Sequence, residues 1–178
     1  MIRRRYTFFQ TLFPTEGGVL SLFTGLLMGL GLIIAPSSFS PARADQGFPQ
    51  DGMVVIKTDK VFPVLVADLE TAIKDNKMGL VTRASASAGA AGQGITIPGN
   101  MVVGVYRNDF ARRMLEASLP AGIEAPIRFY LTENEDKTAN LTYQKPTAVF
   151  APYGNADLDV MAAELDVIFA SIAKGATK

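Results

Sequence analysis

The sequence predicts an α+β fold, with a mainly antiparallel sheet and helices packed on one face, in the order β-α-β-β-α-β-β-α. Two observations support this fold class. Short apolar or alternating runs, typical of strands, recur between residues 53 and 145. Segments with apolar residues at helical spacing lie among them and after the last strand. No internal repeat is visible, so we expect a single domain.

The first predicted strand is the compact apolar run Met53–Thr58. The helix after it begins near Pro63, because the first helical turn tolerates proline. Its apolar residues recur at helical spacing: Phe62, Leu65, Val66, Leu69 and Ile73. Gly79 suits a left-handed C-cap, so we expect the helix to close there and the strand Leu80–Ala84 to follow.

Residues 84–94 are nearly all Ala, Ser and Gly. Small side chains bury little surface and glycine is conformationally free, which predicts a mobile loop or an irregular strand. The Lys and Ser/Thr of a phosphate-binding loop are missing, so we interpret the segment as a plain connection. The strand Met101–Arg107 comes next, and Asn108 is expected to cap a short helix from Asp109 to about Ser118.

The last part of the domain predicts a hairpin and a long helix. Ile127–Thr132 alternates cleanly, with Ile127, Phe129 and Leu131 on one face and Arg128, Tyr130 and Thr132 on the other. The polar loop Glu133–Lys137 leads to the strand Ala139–Lys145, and Pro146 stops that strand. Residues 155–173 have the most regular helical spacing in the chain.

The N-terminus has the pattern of a secretory signal peptide covering residues 1–44. The basic cluster Arg3–Arg5 precedes the uncharged, apolar stretch Val19–Ala35, and the small residues of Ala42–Ala44 suit signal peptidase. Residues 45–52 then form a short polar leader before a domain that spans residues 53–175.

Cleavage after Ala44 would give a periplasmic or extracellular protein. The alternative is a membrane anchor through residues 19–35, although a spanning helix needs about 20 apolar residues. We favour cleavage, and expect contact with a membrane only if the segment is retained.

Composition excludes several kinds of chemistry. The chain contains neither cysteine nor histidine. Zinc sites of Cys and His, thiolate iron–sulfur sites and Ser–His–Asp triads are therefore impossible. We expect no metal ion and no cofactor. The sequence after Ala44 holds 13 Lys and Arg against 16 Asp and Glu, so its net negative charge argues against a nucleic-acid partner.

Six segments between Met53 and Gly175 carry a resemblance to a known family: Gly92–Asn100, Tyr106–Leu115, Gly122–Arg128, Lys145–Pro146, Ala151–Tyr153 and Glu164–Asp166. They resemble the domain of unknown function 302 family over essentially the whole domain. The resemblance implies a compact α+β domain of a kind that often pairs into homodimers. It implies no activity, substrate or catalytic residue.

Charged and tyrosine residues in the family-like stretch are the candidate ligand-binding residues. Arg113 lies three residues past Phe110 and so borders the buried face of its helix, while Arg128 stands on a strand whose other face is packed. Two guanidinium groups beside a sheet suit a carboxylate or phosphate. They could equally pair with Glu124 and Asp109 to hold a loop, which is the interpretation we favour. The candidate residues are Tyr106, Arg113, Glu124, Arg128 and Tyr130.

Two classes of function remain. The first is a non-catalytic accessory module that binds a small anionic ligand or a protein partner. The second is a metal-free enzyme that uses carboxylate, tyrosine or arginine groups. We favour the first, because histidine and cysteine are missing and no close pair of carboxylates has a recognisable spacing.

Overall fold

The computed structural model describes residues 51–178. The predicted signal peptide, its cleavage site and residues 45–50 of the leader lie outside the described residues. The strands are β1 (Met53–Val61), β2 (Gly79–Ala84), β3 (Asn100–Tyr106), β4 (Ile127–Glu133) and β5 (Thr138–Gln144). The helices are α1 (Phe62–Asp75), α2 (Ala86–Ala91), α3 (Asn108–Ala117), α4 (Pro146–Phe150) and α5 (Ala156–Thr177). Short 3-10 helices cover Leu119–Glu124 and Ala151–Tyr153.

The five strands form one sheet in the order β1-β5-β4-β3-β2, and every neighbouring pair is antiparallel. The first and the last of the described strands are therefore neighbours, with Met53 opposite Gln144. The predicted α+β class and the predicted order of the main elements are confirmed. The short helices α2 and α4 are additions to that order.

Helices cover one face of this sheet. The long helix α5 packs against α1, α3 and α4, and together they bury the inward residues of the strands. The centre of this core is an aromatic group in which the rings of Phe129 and Phe169 stack at 4.8 Å and Tyr143 lies 5.3 Å from Phe129. Burial of such large side chains is the main source of stability in a domain without disulfides.

The turn after α1 differs from its prediction. Gly79 is not the cap of the helix but the first residue of β2, and the left-handed residue is Lys77, with φ of 57°. Asn76 closes the helix because both its backbone N–H and its side-chain amide donate to the Ala72 carbonyl, at 3.1 and 2.8 Å. The left-handed residue therefore comes two positions earlier than the glycine pattern predicted.

The small-residue segment 84–94 is also different from its prediction, because residues Ala86–Ala91 form α2. The Ser85 hydroxyl accepts a hydrogen bond from the Ala88 N–H at 3.1 Å and so caps the helix. Alanine has the highest helix propensity, which favours a helix in this segment once it is capped.

Two further helix ends were not predicted correctly. Asn108 lies inside α3 and does not cap it; Arg107 holds the N-cap position without a side-chain cap bond. At α5, by contrast, the Asn155 side chain accepts from the N–H groups of Asp157 and Leu158, at 2.9 and 3.1 Å. This helix runs to Thr177, beyond its predicted end.

None of the helices in the described part combines the length and apolar character needed to cross a bilayer.

Candidate functional site

The face of the sheet opposite the helices carries the candidate site. Along β4 the side chains alternate, so Phe129 and Leu131 point into the core while Arg128 and Tyr130 point to the other side. We call this second side the open face. The residues opposite Tyr130 on the open face are Val102 of β3 and Thr142 of β5.

A groove of about 250 Å³ lies where β1 and β4 begin and β5 ends, and we call it the Arg128 groove. Its polar and tyrosine lining consists of Glu124, Arg128, Tyr130, Thr142, Tyr143 and Gln144. Its apolar lining includes Met53, Val102, Ile127 and Val149. Apolar walls with a few convergent polar groups are typical of small-molecule sites.

Arg128 is the exposed cationic group of the groove. Its cross-strand neighbour on β3 is Gly104, which has no side chain to cover it. Within residues 51–178 no carboxylate oxygen lies within 4.0 Å of an Arg128 nitrogen. The guanidinium can therefore use its planar set of donors on an incoming group.

Glu124, at the end of a 3-10 helix, is held in position by a tyrosine. The Tyr153 hydroxyl donates to Glu124 Oε1 at 2.8 Å. This hydrogen bond, together with burial and the negative charge of the carboxylate, raises the pKa of Tyr153. Tyr153 thus stays protonated at neutral pH and fixes Glu124, leaving the second carboxylate oxygen without this partner.

Thr142 is a groove residue that the sequence analysis did not single out. Its side chain is on the predicted polar face of β5, yet only 1% of the residue is exposed. Its hydroxyl has no hydrogen-bond partner in the described part of the chain. Because every fully buried polar side-chain atom of that part has a partner, the Thr142 oxygen must be reachable from the groove. The hydroxyl therefore borders the groove as an available polar group.

Three of the five candidate residues, Glu124, Arg128 and Tyr130, line the same groove. Tyr106 and Arg113 lie elsewhere. Tyr106, at the end of β3, lines a separate small cavity in the core.

Arg113 makes a bidentate ion pair with Glu164 of α5, at 2.8 and 2.7 Å. This pairing raises the pKa of Arg113 and lowers that of Glu164. The suggested pairing of the two arginines with Glu124 and Asp109 is therefore wrong, because Asp109 bonds to Arg107 at 2.8 and 3.1 Å and Arg128 pairs with neither carboxylate.

The other cavities of residues 51–178 are poorer candidates. The core cavity beside Tyr106 has a volume of about 30 Å³, which leaves room for little more than water. A cleft of about 310 Å³ between α3 and α5 contains Arg113, already paired with Glu164. A wider cleft of about 400 Å³ between α1 and α5 has mostly polar and charged walls. Within the same residues, no three His, Cys, Asp or Glu side chains are grouped so as to hold a metal ion.

These features define a class of protein: a small α+β domain with one antiparallel sheet, helices on one face and a partly polar groove on the other side. The sequence profile described as "Domain of unknown function DUF302" matches residues 54–174. The chain belongs to this family.

A solved structure shares the fold. The crystal structure of an uncharacterized conserved protein DUF302 from Bacillus stearothermophilus is similar with a TM-score of 0.64 and 16% sequence identity. The match covers 72% of this chain and 99% of the other. No curated protein is significantly similar in sequence to this chain.

Proposed function

We propose that this domain is a non-catalytic binding module whose ligand is a small molecule held in the Arg128 groove. The observation that carries the proposal is an arginine without an ion-pair partner among the described residues, beside an unpaired threonine hydroxyl. Buried polar groups such as Thr142 normally have a hydrogen-bond partner, and an unpaired arginine keeps all its donors available, so the two groups in one groove favour a ligand that bonds to them.

The groups of the groove favour binding over the alternative, a metal-free enzyme. A general base needs a pKa suited to accepting a proton near neutral pH. The raised pKa of Tyr153 works against that role, and its hydrogen bond to Glu124 occupies one oxygen of the carboxylate. The groove thus supports recognition better than proton transfer.

The experiment is a ligand-observed NMR screen of small metabolites of all charge classes against the purified protein. We expect at least one compound to bind, and binding to be lost in Arg128→Glu. The matched control is Arg112→Glu on α3, which reverses the same charge at an exposed position outside the groove. Binding by no compound, or equal binding by both variants, would contradict the proposal.

Export and self-association are further parts of this proposal. The basic cluster, apolar stretch and Ala42–Ala44 support an exported protein cut after Ala44, and the family resemblance supports a homodimer. N-terminal sequencing of the exported protein tests the first, and sedimentation equilibrium tests the second. If the first residue is Met1, cleavage after Ala44 is wrong and the membrane anchor through residues 19–35 is favoured.

A further inference from the structure

Two opposite charges line the Arg128 groove without pairing to each other. Glu124 and Arg128 both border the groove, yet their charged atoms are more than 4.0 Å apart. Glu124 is held by the Tyr153 hydroxyl at 2.8 Å instead. The glutamate and the arginine line one groove without forming an ion pair with each other, so both charges are available to a bound molecule.

The signs of the two charges restrict what this group can be. A simple anion would gain the Arg128 guanidinium but would meet the like charge of Glu124. A simple cation would gain Glu124 but would meet Arg128. A molecule that carries both an anionic and a cationic group satisfies both residues at once, and a carboxylate with an ammonium group is the smallest common combination.

The remaining lining sets the size and the polarity of the rest of the ligand. Met53, Val102, Ile127 and Val149 offer apolar contacts, and the Thr142 hydroxyl offers one polar contact. A volume of about 250 Å³ is below the range of drug-sized sites. These dimensions suit a compact molecule with one short, largely apolar side chain.

We infer that the Arg128 groove binds a zwitterionic small molecule of amino-acid size, with its carboxylate on Arg128 and its ammonium group on Glu124. The inference rests on the proposed function, since it names the ligand class of the same site. Tyr153 acts in it as a positioning residue, because its hydroxyl orients Glu124 and does not touch the ligand.

The experiment compares matched probes by calorimetric titration of the purified protein. The probes are the twenty standard amino acids, together with 4-methylpentanoate and 3-methylbutylamine, which are leucine without its amino group and without its carboxylate. We expect at least one amino acid with an aliphatic side chain to bind about tenfold more tightly than either single-charge analogue, because each analogue leaves one charge of the groove unpaired.

Two variants separate the contributions of Arg128 and Glu124 to ligand binding. Arg128→Gln should weaken amino-acid binding about tenfold and leave binding of the amine unaffected or tighter. Glu124→Gln should weaken amino-acid binding similarly and leave binding of the plain acid unaffected or tighter. Glu116→Gln, on an exposed part of α3, is the control for Glu124→Gln. Thermal melts confirm that each variant is folded.

The outcomes distinguish this inference from the proposed function. If plain acids or neutral compounds bind as tightly as amino acids, and Glu124→Gln changes nothing, the zwitterion inference is wrong while a binding groove remains. If neither the amino acids nor any compound of the metabolite screen binds, both are wrong.

Discussion

Phe129 and Tyr130 are neighbours in β4, but they meet opposite environments. Phe129 is fully buried between Tyr143 and Phe169. Tyr130 lies on the open face and lines the Arg128 groove. The period of two along a strand therefore divides the sheet into a face packed against the helices and an open face, which carries the proposed binding groove. If this division is correct, substitutions on the two faces should have different consequences.

The largest effect is expected for Phe129→Ala. Removing a fully buried ring leaves a cavity and should lower the free energy of unfolding by about 3–5 kcal/mol. Tyr130→Ala, one residue along the strand, is the matched control and should cost clearly less. Urea denaturation of both variants measures the difference, and equal losses would break the distinction between the faces.

A smaller loss is expected for Gly104→Ala, which tests whether any position of the open face is also structurally restricted. An added Cβ would overlap the Thr82 hydroxyl and lie 2.8 Å from Pro126 Cγ. Overpacking of this kind should cost about 1–3 kcal/mol.

Two variants control for this result. Gly89→Ala in α2 adds the same methyl group where no atom lies within 4 Å, so it should be neutral or slightly stabilising. Combining Gly104→Ala with Thr82→Ala should recover part of the loss. A stability of Gly104→Ala equal to that of the native protein would show that the open face has more room than the structure indicates.

The pH dependence of stability should reflect carboxylates that lie outside the helix-covered core. A hydrogen bond from the Gly99 N–H lowers the pKa of Glu133, and a hydrogen bond from the Thr138 hydroxyl lowers that of Asp136. The pairing with Arg113 lowers the pKa of Glu164.

Because these folded-state pKa values are depressed, their stabilisation is present at neutral pH and is lost as the pH falls below about 4. The chain has no histidine, so we expect no step in stability between about pH 5 and pH 8. Urea denaturation across the pH range measures the profile. Glu133→Gln should reduce the loss of stability below about pH 4. A step in stability near pH 6.5 would contradict the attribution of the pH dependence to carboxylates.

The smallest effect is expected for Arg113→Lys. Arg113 lies on neither face of the sheet, and its ion pair with Glu164 is open to solvent on both sides. The loss of stability should exceed that of Arg112→Lys, the control at the preceding position of α3, by no more than about 1 kcal/mol. A much larger loss in thermal melts would indicate that the pair is part of the core.

The parts of this fold that repeat a short pattern could be predicted from the sequence. The alternation in β4 correctly separated Phe129 from Arg128, and the helical spacing of residues 155–173 found most of α5. The helix α2 was missed because small residues provide no apolar period, and its cap, Ser85, lies within the same small-residue segment.

The candidate site could be predicted only in part, because its contacts join distant segments. Arg113 and Glu164 are 51 positions apart, and Tyr153 and Glu124 are 29 apart. No local pattern connects such residues. The burial of Thr142 likewise depends on neighbours from other strands, so no local pattern in β5 identifies it as a groove residue.

The pairing of β1 with β5 affects the order in which the chain can fold. A nascent polypeptide emerges N-terminus first, and within residues 51–178 β1 pairs only with β5, whose residues Thr138–Gln144 appear after the other four strands. The sheet therefore cannot be completed until its last strand has been synthesised. Contacts between residues so far apart in sequence also slow folding. During that interval the chain remains without its final tertiary structure, which is the state that a translocation channel for unfolded polypeptides would accept.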